Sequence, residues 1–180
     1  LNCDGASIPR GDTNGPPLGP GTYRMLDGNR NAFILYSGEK DDAVIYQNHS
    51  GLVIGDSSLP AFYVEFPSFE GKKLTRIRVM LGNSVEKLKN VESGAPGTVL
   101  TVTDAEGNVV KGGEKATKKS YTFTAEEKKS LVIESFQTDY LYHYEESMFD
   151  FKLEDTEPGK AYRIVGDARM VMRWWILNYE

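Results

Sequence analysis

Apolar residues in this chain recur with a period of two almost everywhere and with the helical period of about 3.6 almost nowhere. In Leu74-Thr75-Arg76-Ile77-Arg78-Val79-Met80-Leu81, Ile77, Val79 and Leu81 alternate with Arg76, Arg78 and Met80. Successive side chains of a strand point to opposite faces, so this run has one apolar and one polar face. Met148-Phe149-Asp150-Phe151-Lys152-Leu153 repeats the pattern, with Phe149, Phe151 and Leu153 on the inward side. Shorter β-branched or aromatic runs cover residues 23–26, 32–36, 43–46, 52–54, 61–66, 98–103, 120–124, 131–136, 161–165 and 169–179. Gly, Pro, Asn or Asp punctuates them, which is the signature of strands joined by turns. Asp104-Ala105-Glu106-Gly107-Asn108 reads as a hairpin turn with Gly in a left-handed position. Its acidic residues are explained by turn chemistry rather than by a calcium loop.

Helical signals are local. Thr124-Ala125-Glu126-Glu127 fits a capping box, followed by only Lys128, Lys129 and Ser130 before strand character resumes. Ser84-Val85-Glu86-Lys87-Leu88-Lys89 is a second short candidate. No helix of the length needed to cross between parallel strands lies between the runs, which excludes βαβ units. The expectation is an all-β fold: an antiparallel two-sheet β-sandwich, jelly-roll-like, with short helical turns. At 180 residues it is one domain spanning 22–180. Residues 1–21 are rich in Gly and Pro and read as a flexible leader.

Charge and motifs exclude more than they name. The net charge of −5 opposes nucleic-acid binding, which needs a positive field. No apolar run reaches the roughly 18 residues of a membrane span. There is no phosphate loop, no dinucleotide fingerprint and no nucleophile elbow, so no cofactor is expected. His49 and His143 with one cysteine do not make a zinc site. Glu65, Asp150 and Glu154 are carboxylates of the type a glycosidase uses, but spacing alone does not bring any two together. Asn48-His49-Ser50 is a sequon by chance, and Arg10-Gly11-Asp12 reads as a polar loop.

Aromatic residues are the more informative set: ten Tyr, eight Phe and two Trp. Tyr and Trp on an outward face can stack on the apolar face of a sugar. Tyr140, Tyr142 and Tyr144 share one strand face by parity, and Trp174 and Trp175 fall on opposite faces, one core and one outward. These five are the candidate ligand contacts. The alternative for the tyrosines is a packed layer between sheets.

From residue 60 to the end the chain resembles the β-sandwich domains, jelly-roll or galactose-binding-like, of secreted and surface proteins from gut Bacteroidetes. Phe66-Pro67-Ser68-Phe69-Glu70-Gly71-Lys72-Lys73-Leu74-Thr75 looks like their strand entry. Residues 102–110 look like their acidic hairpin, and residues 158–164 with Trp175-Ile176-Leu177-Asn178-Tyr179 look like their closing strand pair. The resemblance implies a non-catalytic carbohydrate-binding module of an exported bacterial protein, extracellular or at the cell surface. Leu1-Asn2-Cys3-Asp4 also looks like the start of a lipoprotein, which would make a lipid on Cys3 the only membrane attachment; an incidental thiol is the other reading. Two further functions stay open: a structural or adhesive protein-binding sandwich, and a sugar-active enzyme.

Overall fold

A computed structural model describes residues 2–3, 6–7, 17–48, 51–81, 99–114 and 148–180. The strands are β1 (Asn2–Cys3), β2 (Ala6–Ser7), β3 (Thr22–Leu26), β4 (Ala32–Tyr36), β5 (Val44–Asn48) and β6 (Gly51–Gly55). They continue as β7 (Phe62–Glu65), β8 (Leu74–Leu81), β9 (Leu100–Asp104), β10 (Met148–Lys152), β11 (Tyr162–Gly166) and β12 (Met170–Tyr179). No helix occurs among the described residues. The helical turns expected near 84–89 and 124–130, the strands expected over 120–124 and 131–136, and Arg10-Gly11-Asp12 lie outside them.

The architecture is all-β and sandwich-like. A seven-stranded sheet runs β2-β1-β3-β4-β7-β11-β9, and a five-stranded sheet runs β10-β8-β12-β6-β5. Every strand pair between them is antiparallel. From β7 onward the described strands alternate between the two sheets. Inward residues of both sheets merge into one core: Met25, Phe33, Leu35, Phe62, Val64 and Ile164 from the first, Ile45, Ile54, Ile77, Val79, Phe149 and Phe151 from the second. Each such side chain contributes about 1.5–3 kcal/mol when removed from water. Packing is close enough that Gly166 has no room for a side chain, since the Phe62 ring fills the place of a Cβ.

Strand boundaries follow the alternation. In β4, Phe33 and Leu35 are buried while Ala32, Ile34 and Tyr36 are half-buried. Hairpin turns use one device twice. Asp27 accepts N–H bonds from Asn29 and Asn31 and the Asn31 carboxamide, at 2.8–2.9 Å. Asp104 accepts the N–H and carboxamide of Asn108 at 2.8 and 2.9 Å. The return from the Asp104 turn is shorter than a strand: Val109 makes one isolated bridge to Thr103. Parts of the expected leader also join the sheets. β1 pairs with Met25 and Leu26 of β3, and Leu18 exchanges both backbone hydrogen bonds with Ile45 at 3.0 and 2.9 Å.

Candidate functional site

Register places a row of outward side chains across the middle of the seven-stranded sheet. Thr22 lies opposite Tyr36, Tyr36 opposite Tyr63, and Tyr63 opposite Val165. The next row runs through Arg24, Ile34, Glu65 and Arg163. The two tyrosine rings stack with centroids 4.9 Å apart and an interplanar angle of 18°. The Arg163 guanidinium lies over the Tyr63 ring, 4.4 Å from its centroid, from the β11 side. Tyr63 therefore has both faces covered. On the β3 side, the register partner of Tyr36 is the small, exposed Thr22.

Arg163 is held by three neighbours. Its Nε donates to Glu65 Oε2 at 2.7 Å, and its Nη1 donates to the Ala105 carbonyl at 2.7 Å. The Tyr63 ring is the third. Ala105 belongs to the Asp104 turn, so Arg163 joins the sheet face to a groove of about 490 Å³ beside that turn. Five carboxylates, Asp104, Glu106, Glu114, Asp155 and Glu157, and two lysines, Lys111 and Lys160, line this groove. Lys111 pairs with Glu154 at 2.5 Å and Lys160 with Glu157 at 3.1 Å. The Asn108 carboxamide holds the Asp104 carboxyl below the usual carboxylate range.

The other end of the row is braced by Asp56, 2% exposed. Its Oδ2 accepts the N–H groups of Glu39 and Lys40 at 2.9 Å, and its Oδ1 accepts the N–H and hydroxyl of Ser58 at 2.7 and 2.5 Å. Burial alone would raise its pKa, but these donors favour the charged form and bring it down to about 2. Gly38, at φ +97°, lets the chain pass so close that any Cβ there would overlap this carboxylate. The Tyr36 hydroxyl is pushed upward by burial and by the negative charges of Glu39 and Asp56, and it hydrogen-bonds Glu39.

The residues singled out from sequence fall elsewhere. Tyr140, Tyr142, Tyr144, His143, His49 and Ser50 lie outside the described residues. Trp174 occupies β12 at the register position opposite Met80. Trp175 reaches across the core, its ring 5.6 Å from Phe33 and 5.8 Å from Phe66, centroid to centroid. The three candidate carboxylates are each ion-paired: Glu65 with Arg163, Asp150 with Arg76, Glu154 with Lys111. Glu65 belongs to the seven-stranded sheet and Asp150 to the five-stranded one, and both sit at outward positions, so the two carboxylates face away from each other. Among the described residues no three His, Cys, Asp or Glu side chains converge as a metal site.

Sequence reasoning passed over Tyr36, Tyr63 and Arg163. Parity was available for each, since Tyr36 alternates with buried Phe33 and Leu35, and Tyr63 with Phe62 and Val64. The missing signal was the pairing of β4 with β7, which are not consecutive in the chain. No family model, curated protein or solved structure matches this chain.

Proposed function

We propose that the protein is a non-catalytic carbohydrate-binding module, a jelly-roll-like domain of the Bacteroidetes surface type on an exported bacterial protein. The observation that carries this reading is the outward Tyr36–Tyr63 pair flanked by a carboxylate and a guanidinium. A ring face meets the C–H face of a sugar, and charged donors and acceptors beside it meet hydroxyls. The half-buried Tyr36 ring beside exposed Thr22 supplies the first, and Glu65, Arg163 and the polar groove supply the second. Alternation of strands between the sheets after β7 supports the jelly-roll connection. Tyr140, Tyr142 and Tyr144 are proposed as a second aromatic platform, and Cys3 as the point of any lipid attachment, which the mass of the mature chain reads directly.

The test is binding of the chain to a broad glycan and polysaccharide panel, with Tyr36→Ala, Tyr142→Ala and Trp175→Ala alongside. Loss of binding in Tyr36→Ala with an unchanged melting temperature supports the sheet face. Loss only in Tyr142→Ala moves the site to the second platform. Absence of binding to every glycan overturns the carbohydrate reading. The remaining reading is then a protein strand added at the edge of the seven-stranded sheet, where the two-residue β1 and β2 lie beyond β3.

A further inference from the structure

Arginines in sugar-binding sites can hold an acidic sugar by presenting two N–H groups to its carboxylate at once. Guanidinium has two edges able to do this: Nε with one Nη, and the two Nη together. At Arg163 the first edge is blocked at Nε, and on the second Nη1 already gives one of its two N–H groups to a carbonyl. Glu65 takes Nε at 2.7 Å, and the Ala105 carbonyl takes Nη1 at 2.7 Å. Its positive charge is matched by Glu65 in contact and shared with the Tyr63 ring. The cation beside the ring pair is thus charge-compensated and short of its Nε donor before any ligand carboxylate or sulfate arrives.

On the β3 side, Arg24 and Glu39, one charge of each sign, stand beside Tyr36. The β9 side adds to the effect of Glu65. On the β9 side, the exposed Glu106 and Asp155 and the turn carboxylate Asp104 line the groove, and both of its lysines are ion-paired. A polyanion laid along the row would enter a negative field, on a chain whose net charge is already −5. A neutral chain meets no such barrier.

We infer that this face selects uncharged glycan chains and rejects those bearing uronate or sulfate, and that Glu65 sets the selection by occupying Arg163. The inference rests on the carbohydrate reading above and names its ligand class. Specificity here comes from a repulsive element as much as from an attractive one.

The experiment measures affinity of the full chain for a neutral β-glucan, a neutral galactan, polygalacturonate and heparin, at low and at physiological salt. Wild type is expected to bind one neutral polymer and to bind both polyanions at least roughly tenfold more weakly, with the gap narrowing as salt rises. Glu65→Gln removes the matching negative charge and so uncovers that of Arg163, and the ratio of polygalacturonate to neutral binding should rise by roughly tenfold. Glu106→Gln with Asp155→Asn, both exposed, should raise the same ratio by a smaller factor without loss of fold. Polyanion binding equal to or tighter than neutral binding overturns the inference, as does a ratio unmoved in both variants. Polyanion binding abolished by Arg24→Gln would assign the surface to acidic sugars instead. If no polymer binds in any arm, the carbohydrate reading fails and this inference fails with it. If neutral and acidic polymers bind alike, only this inference fails. Should Glu65→Gln not fold, the wild-type ratio and the Glu106/Asp155 variant decide alone.

Discussion

On the outer face of the seven-stranded sheet, Arg163 divides its donors among Glu65, a carbonyl and an aromatic ring. On the outer face of the five-stranded sheet, Arg76 gives both Nε and Nη2 to the two oxygens of Asp150, each at 2.8 Å. The side chains are similarly exposed, 24% and 19% for the first pair, 28% and 15% for the second. Burial therefore does not separate them; geometry does. The second pair is a closed fork between β8 and β10, and it locks two strands. On this face outward positions are buried: Arg78 is 6% exposed and Val53, outside the main core, 4%. The first pair stands on a face where Thr22 and Arg24 are exposed and Tyr36, Tyr63 and Glu65 half-buried. One face spends its arginine on the fold, and the other uses its arginine to shape a surface.

The largest expected effect lies beneath both faces. Trp175→Ala removes the ring that bridges Phe33 and Phe66 across the sheets and should cost about 2–4 kcal/mol in chemical denaturation. Loss of glycan binding at full stability would instead place Trp175 on the ligand side and undo the division into core and face.

Acid is the next lever. Asp56 has a folded pKa of about 2 against an ordinary 3.8, so the unfolded chain binds its proton first as pH falls. Its contribution, about 2 kcal/mol, is complete above the unfolded value and disappears as pH drops through about 2. Asp56→Asn should remove that contribution near neutral pH and flatten the acid limb of the stability curve. An unchanged acid limb would show that the loops supporting Tyr36 are held by something else.

The two arginine pairs can be compared directly. Asp150→Asn should cost about 1–2 kcal/mol, because it leaves a half-buried fork open. Glu65→Gln should cost about half as much, since Arg163 retains the Ala105 carbonyl and the Tyr63 ring. Equal losses in urea titrations would break the contrast between a lock and a surface. The smallest effect belongs to the groove rim: Lys160→Ala removes an exposed pair with Glu157 and should leave the melting temperature unchanged.

Much of the fold could be read before any coordinates. Leu74–Leu81 and Ala32–Tyr36 have the bounds that alternation implies, and Ile77, Val79, Phe149, Phe151 and Leu153 are buried as their parity requires. Gly107 takes positive φ in the acidic hairpin. β1 and β2 escaped notice because two-residue pairings have no period to detect. β1 finds its partner in β3, further along the chain, and β2 pairs only with β1. For the candidate site, Glu65 drew attention only as a carboxylate, and its arginine partner belongs to a strand almost a hundred residues later.

Strand content, the apolar face of each strand and the turn chemistry at Asp27 and Asp104 follow from the chain alone. These are local properties, set by side-chain period and by hydrogen bonds within four or five residues. Which outward residues become neighbours is a different matter. Tyr36 meets Tyr63, and Arg163 meets both Glu65 and Ala105, only because β4, β7, β11 and β9 lie side by side in register. That order is selected by burying Phe33, Phe62, Val64 and Ile164 in one core, and a one-residue slip would turn every ring on the outer face inward.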